Sequence, residues 1–222
     1  MTTRLTHSYS SIKLFENCPL RYYEQRVTKS VVDEGGEASI HGDRVHKALE
    51  HKIKGQADLP QDMEAYEPIV NAVTSLVGNG QLEAEQELTV SRSMAITGWW
   101  EPDAWLRSKI DVLIIKDDTD ALIFDWKTGK RRVDMFQFTL YAAQVFMHYP
   151  QVQRIKATLV WLKDQKLDSE TFTRADAPKL WADVLARITR IEQALAHSNW
   201  PAKPSGLCPY CPLFKTCLYA RK

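Results

Sequence analysis

The stretch Ala121-Leu122-Ile123-Phe124-Asp125-Trp126-Lys127 decides the fold. Its four apolar residues read as a strand, and residues i and i+2 of a strand point the same way, so Asp125 and Lys127 share a face while Trp126 turns to the other. Upstream, Leu106-Arg107-Ser108-Lys109-Ile110-Asp111-Val112-Leu113-Ile114-Ile115 drops another carboxylate into a β-rich apolar run. A buried carboxylate without a partner is costly, so a cation beside Asp111 is a physical expectation. An acid-x-lysine pair next to a second acid suits phosphodiester hydrolysis, which needs oxygen ligands for a hard divalent cation and an ammonium beside the attacked phosphate. Alone, the pair is more often an ordinary edge-strand ion pair, with Asp111 as a turn residue; the surrounding residues decide.

Gly42-Asp43-Arg44-Val45-His46-Lys47-Ala48-Leu49-Glu50 has helical character, with Gly42, His46 and Glu50 along one face. Gln137-Phe138-Thr139-Leu140-Tyr141 lies in an apolar-periodic helix from about 133 to 148, which sets Gln137 and Tyr141 one turn apart on one side. Neutral imidazole binds divalent metals, and an amide with a phenol can hold a phosphate or base by hydrogen bonds. Singly, each also fits a surface histidine or a packing contact.

In this order the segments resemble the PD-(D/E)XK nuclease superfamily, and within it the RecB-like exonucleases. That group includes the nuclease domains of RecB and AddB and small CRISPR-associated exonucleases. The matching residues are Gly42-x-x-x-His46, Asp111, Asp125-x-Lys127 and Gln137-x-x-x-Tyr141. The resemblance implies that His46, Asp111, Asp125 and the Trp126 carbonyl hold a catalytic Mg or Mn ion. It makes Lys127 the catalytic lysine, and Gln137 and Tyr141 the third motif. Asp125 stands where many relatives carry Glu, and Lys109-Ile110 rather than a proline precedes Asp111. A histidine ligand softens the site, so Mn is expected to support activity at least as well as Mg. The expected activity is a DNA exonuclease, 5′-to-3′ on single-stranded ends, serving recombination and repair, phage DNA metabolism or CRISPR adaptation. The competing expectation is a non-catalytic nucleic-acid-binding or assembly module of the same fold, although such a copy has no physical reason to keep the metal and lysine set.

Four cysteines form an independent line: Cys18, then Cys208-x-x-Cys211-x5-Cys217. No signal peptide or long apolar stretch precedes Cys18, so the chain reads as cytoplasmic and non-membrane, where Cys-x-x-Cys means metal rather than disulfide. Pro19, Pro209 and Pro212 each follow a cysteine and stiffen the turns. Spacing alone fits structural zinc and an iron-sulfur cluster about equally. The resemblance to AddB and the CRISPR-associated exonucleases implies a 4Fe-4S cluster on Cys18, Cys208, Cys211 and Cys217, structural in role.

With 222 residues, 44% hydrophobic and 26% charged, the chain can bury a core and is not composed like a disordered one. The net charge of +1 does not advertise a DNA binder. Basic residues do gather locally: Lys130, Arg131 and Arg132 follow Lys127, and Arg44, Lys47, Lys52 and Lys54 flank His46. Beside carboxylates such runs can track a phosphate backbone, with Lys130 and Arg131 as candidate DNA contacts.

Helices are expected at about 8–26, 40–53, 61–77, 133–148 and 177–197, and strands at 87–96, 104–115, 121–126, 155–162 and near 170–174. This order predicts an α/β fold with a restriction-endonuclease-like core, a mixed sheet flanked by helices. One RecB-like nuclease domain over 1–222 is expected, comprising a helical part (1–80) with the first cluster cysteine, a nuclease core (81–175), and a helix with the Fe-S-bound tail (176–222). Trp99, Trp100 and Trp105 read as core or hairpin packing rather than base-stacking platforms, Tyr22 and Tyr23 as packed near the cysteines, and Glu50, Glu85 and Glu87 as surface acids before extra metal or water-positioning groups.

Overall fold

Five strands form a mixed sheet ordered β1 (Gln81–Ser91), β2 (Ala104–Lys116), β3 (Asp120–Lys127), β4 (Arg154–Trp161) and β5 (Lys166–Thr173). The structure is a computed structural model that describes residues 5–117 and 119–221. β1 to β3 are an antiparallel meander, β3 and β4 pair parallel, and β5 returns antiparallel to β4. The helices are α1 (Tyr9–Asn17), α2 (Pro19–Tyr22), α3 (Glu37–Ile53), α4 (Glu67–Thr74), α5 (Phe136–His148) and α6 (Ala177–Ala196). Parallel neighbours need a crossover, and α5 provides the one between β3 and β4.

Two compact units divide the chain: Gly35–Trp181, and the segments up to Glu34 and from Ala182 onward. In the first, the sheet has an apolar layer on each face. Leu113, Ile115, Ala121 and Ile123 pack with Phe138, Ala142 and Val145 of α5. Val112, Ile114, Phe124 and Trp126 pack with Val45 and Leu49 of α3 and Val70 and Val73 of α4. A strand covered on both sides reads as a continuous apolar run, which is why Val112-Leu113-Ile114-Ile115 lacks polar alternation. The expected α/β core, a mixed sheet flanked by helices, is the observed one.

In the second unit, Ser8 and Ser11 form a reciprocal capping box that starts α1. Tyr22 is fully buried, with Phe15 and Trp200 rings at 5.6 and 6.0 Å. Glu16 accepts from Arg187 at 2.6 Å and Arg190 at 3.2 Å.

Several boundaries differ from the sequence expectation. The helix expected over 8–26 breaks at Cys18, which is extended (φ −162°, ψ 106°) because the residue before a proline is pushed out of the helical region. The helix expected over 61–77 is α-helical only in α4, with 3-10 turns at Gln61–Tyr66 and Ser75–Val77. β1 begins at Gln81 rather than 87 because it pairs along the length of β2, as far as Gln81 opposite Ile115. Gly80 makes that start possible: a Cβ there would lie 2.2 Å from the Ile115 carbonyl oxygen.

Candidate active site

Pairing between β2 and β3 runs from Lys116 opposite Asp120 to Val112 opposite Phe124 and then stops; the next rung would be Asp111 with Asp125. Instead of a ladder bond, the Trp126 backbone N–H donates to Asp111 Oδ2 at 2.7 Å. The strands part where the two acids stand. The other side of β2 departs from regularity at the same level. Ala84 pairs with Val112 and Gln86 with Ile110, so Glu85 falls across from Asp111, with a left-handed φ of +59°.

This irregularity inverts the alternation of side chains. Ile110 belongs to the α5-side layer, yet Val112, two residues on, belongs to the α3-side layer. In an unbroken strand both would face the same way. Leu82 and Leu88 of β1 likewise lie in opposite layers although their spacing is even. The switch brings Asp111 and Glu85 to the mouth between β2 and α3, where His46 meets them.

Nδ1 of His46 lies 3.3 Å from Asp111 Oδ1. His46, Glu85 and Asp111 each offer a ligand atom within 4.8 Å of the other two, the span one divalent ion can hold. Among the described residues this is the only such group of histidine, cysteine or carboxylate ligands. It opens into a cavity lined also by Gly42, Asp43, Glu50, Lys109 and Thr128. Gly42 keeps the helix close to the strand end, since a Cβ there would sit 3.3 Å from Thr128 Oγ1.

The second half of the site comes from β3 and α5. Lys127 pairs with Asp125 Oδ2 and donates to Gln137 Oε1 at 2.8 Å. Gln137 Nε2 donates to Asp125 Oδ1 at 2.6 Å and to the Tyr141 hydroxyl at 2.8 Å. The Tyr141 hydroxyl in turn donates to the Lys109 carbonyl at 2.9 Å. The i, i+4 spacing on α5 therefore fixes the lysine, the acid and the β2 backbone in one network.

Charge in the site is lopsided. Burial and then the neighbouring Asp111 raise the Asp125 carboxyl to about 6, against the pull of Lys127 and His46. Burial opposes the His46 imidazolium, yet the hydrogen bond to Asp111 and the charges of Asp111, Asp125 and Glu85 hold it up at about 9. Burial raises Glu85 too, although Lys109 Nζ lies 2.5 Å from its Oε2. Three acids that force a histidine to stay protonated make a pocket suited to a cation.

Of the residues expected here, His46 and Asp111 meet in the ligand group, whereas Asp125 is not among the residues of that group and joins Lys127, Gln137 and Tyr141 in the adjoining network; the Trp126 backbone N–H links the two halves through Asp111. Glu85, read first as a surface acid and second as an extra metal or water-positioning group, stands in the site. Its position follows from the left-handed kink opposite Asp111, which leaves no trace in hydrophobic periodicity; a glutamate facing an acid across a hairpin was the one available hint. The basic residues are less free than their sequence clusters suggested. Arg131 forms a two-pronged pair with Asp168, and Arg44 pairs with Asp62, Lys52 with Asp58 and Glu67, and Lys54 with Glu50. Lys130 is exposed.

The four cysteines carry free thiols, are partly buried and line one largely apolar cavity of the second unit. No three of their sulfurs lie within 4.8 Å of one another. Cys208 Sγ accepts the Ser205 N–H at 3.3 Å, which with the Arg221 N–H lowers its pKa; Cys18 Sγ accepts the Lys203 N–H at 3.5 Å.

No described helix is long and apolar enough to cross a membrane. No curated protein matches the sequence. Among solved structures, a candidate exonuclease from Eubacterium rectale is similar at 12% identity and TM-score 0.56, over 99% of this chain and 91% of that one. SSO0001 is similar at 12% identity and TM-score 0.48, over 98% and 87%. LHK-Exo, solved in complex with dAMP, gives 11% identity and TM-score 0.35, over 84% and 93%. The family profile described as the PD-(D/E)XK nuclease superfamily matches residues 6–218, nearly the whole length, and with the acids and lysine of that signature meeting at the parted strands, the chain belongs to the PD-(D/E)XK nuclease superfamily.

Proposed function

We propose that the protein is a divalent-metal-dependent deoxyribonuclease of the RecB-like type. It acts as an exonuclease, 5′-to-3′ on single-stranded DNA ends, in the cytoplasm of a prokaryotic cell or phage-infected host. One observation carries the nuclease reading: His46, Glu85 and Asp111 form a single-ion group beside the linked Asp125, Lys127 and Gln137. The exonuclease direction and strand preference rest on the RecB-like resemblance of the motifs. Recombination and repair, phage DNA metabolism and CRISPR adaptation are the settings such enzymes fit.

The donor set suits Mg or Mn. Carboxylate oxygens and one imidazole nitrogen match hard to borderline divalent cations, and the pocket's surplus of acid calls for positive charge. When bound, such a cation would acidify a water and offset charge on the scissile phosphate. Asp111, Glu85 and His46 would hold it from β2, β1 and α3, and Asp125 from β3, with the Trp126 carbonyl as a further ligand. Metal binding requires His46 to give up its proton, so affinity should rise with pH. Lys127 sets its Nζ against Asp125 and Gln137, placed to orient the attacking water or to stabilise charge developing on the phosphate. Gln137 and Tyr141 hold that Nζ and carboxylate in register. Lys130 and Arg131 are proposed DNA contacts, Arg131 after exchanging Asp168 for phosphate.

We also propose a structural 4Fe-4S cluster on Cys18, Cys208, Cys211 and Cys217. Supporting it are four thiols on one cavity wall and backbone N–H groups directed at two of the sulfurs. A single zinc ion would hold its thiolates closer together than a four-iron cluster does, which favours the cluster over zinc. Brown colour in anaerobically purified protein, lost in Cys208→Ser, is the expected result; stoichiometric zinc without iron would replace the cluster by zinc.

The activity test uses end-labelled and circular, single- and double-stranded DNA with Mn or Mg. Cleavage of linear single strands is expected, at least as fast in Mn, lost in Asp125→Ala and Lys127→Ala, and needing more Mn in Glu85→Gln. Degradation unchanged in both alanine variants would exclude this site as its source.

A further inference from the structure

The connection between β1 and β2 does not bury its tryptophans. Trp105 is buried, but Trp99 is half-buried and Trp100 is 84% exposed. An indole so exposed is unusual, because a large apolar ring in water forfeits the burial that makes tryptophan useful in a core. The loop is ordered by its own bonds: the Thr97 hydroxyl donates to Asp103 at 2.7 Å, and the Glu101 N–H to the Gly98 carbonyl at 3.2 Å. Arg107 of β2 holds both rings, its guanidinium 5.2 Å from the Trp99 centroid and 5.5 Å from that of Trp100. Its Nε is buried without a hydrogen-bond partner.

The position of this cluster links it to the site. Arg107, Lys109 and Asp111 alternate along β2, and Lys109 lines the same cavity as Asp111, Glu85 and His46. At about 3.3 Å per residue, Arg107 lies roughly 13 Å along the strand from Asp111, a few nucleotides of extended single strand. The loop itself carries Glu101 and Asp103 against Arg92, so it is not built to attract phosphate. What it offers outward is the face of a ring, and every base has a face to stack on one.

We propose that Trp100, backed by Arg107 and Trp99, is a base-stacking platform that holds single-stranded DNA leading to the acidic site. The proposal takes its ligand class from the nuclease reading, and it assigns the preference for single strands to this loop. A duplex keeps its base faces stacked inside and cannot use the platform.

The test measures binding of fluorescent oligo-dT and of a blunt duplex of equal length to the whole protein in EDTA, where no cleavage occurs. Trp100→Ala is expected to weaken oligo-dT binding about fivefold to a hundredfold, while Trp100→Phe stays within a few-fold of the parent. Duplex binding should be unchanged in both. The loss in Trp100→Ala should vary little with salt, since phosphate contacts supply the salt dependence. Equal oligo-dT binding by the parent and Trp100→Ala, or equal losses on single strand and duplex, would overturn the platform. Binding that depends on Trp100 in a protein that cleaves nothing would leave the platform standing and remove the nuclease reading instead.

Discussion

At the scale of single residues, Asp125 shows how the site trades stability for function. A carboxyl whose folded pKa is raised to about 6, from about 3.9 in the unfolded chain, is held more comfortably neutral than charged. Its contribution is therefore full below the unfolded value and is lost as pH rises through about 6. His46 has a raised pKa of opposite charge type. Its stabilisation is present below about 6.5 and is lost as pH climbs through about 9. Asp125→Asn, a neutral isostere, should thus stabilise the metal-free protein at pH 8 by about 1 to 3 kcal/mol while abolishing metal-dependent cleavage. Thermal melts in EDTA at pH 8 and pH 5 check this. The gap between variant and parent should shrink at pH 5, and a gap equal at both would place its origin elsewhere than in the carboxylate.

Elements place these residues, and α5 does so most directly. Gln137 is buried and bridges Lys127 to Asp125 from one turn before Tyr141. Gln137→Ala should lower kcat on single-stranded DNA about tenfold to a hundredfold with a smaller change in KM, because it loosens the lysine without removing a group that grips the strand. Steady-state kinetics over a range of oligonucleotide concentrations separates the two. Much of this element was legible beforehand. The apolar periodicity of 133–148 gave the helix, and i, i+4 spacing gave the shared side of Gln137 and Tyr141. The β3 run likewise put Asp125 and Lys127 together. Period-2 reasoning does not reach Glu85, where a left-handed residue opposite Asp111 inverts the alternation, and such a kink is stabilised by the strands around it rather than by local preference. The break at Cys18-Pro19 was written in the sequence and follows from proline sterics. The exposure of Trp100 was not, since an indole in a hairpin is as readily packed as presented, and only the tertiary path of the loop decides.

Across the whole molecule, the two compact units are joined by α6 and by the run from Lys29 to Gly36, which has no helix or strand and is largely exposed. Exposed, irregular backbone can enter a protease cleft without unfolding anything else. Brief trypsin treatment should therefore cut after Lys29 before it cuts within the sheet, as intact-mass analysis of the first fragments would show. A first cut within one of the five strands, rather than in this run or the exposed loop holding Lys130, Arg131 and Arg132, would mean that the sheet opens more readily than its burial implies.

The sheet's outer strands carry a further consequence. β1 and β5 are its rims, and each displays unpaired backbone groups to any chain able to dock alongside. Glu83 and Glu87 stand exposed on β1, and Glu170 is partly exposed on β5. Like charges along a rim make a second copy an unwelcome neighbour, so these acids act as a guard against stacking into fibrils. Replacing Glu83 and Glu87 together by valine should bring on turbidity at neutral pH and raised protein concentration, where the parent stays clear by light scattering.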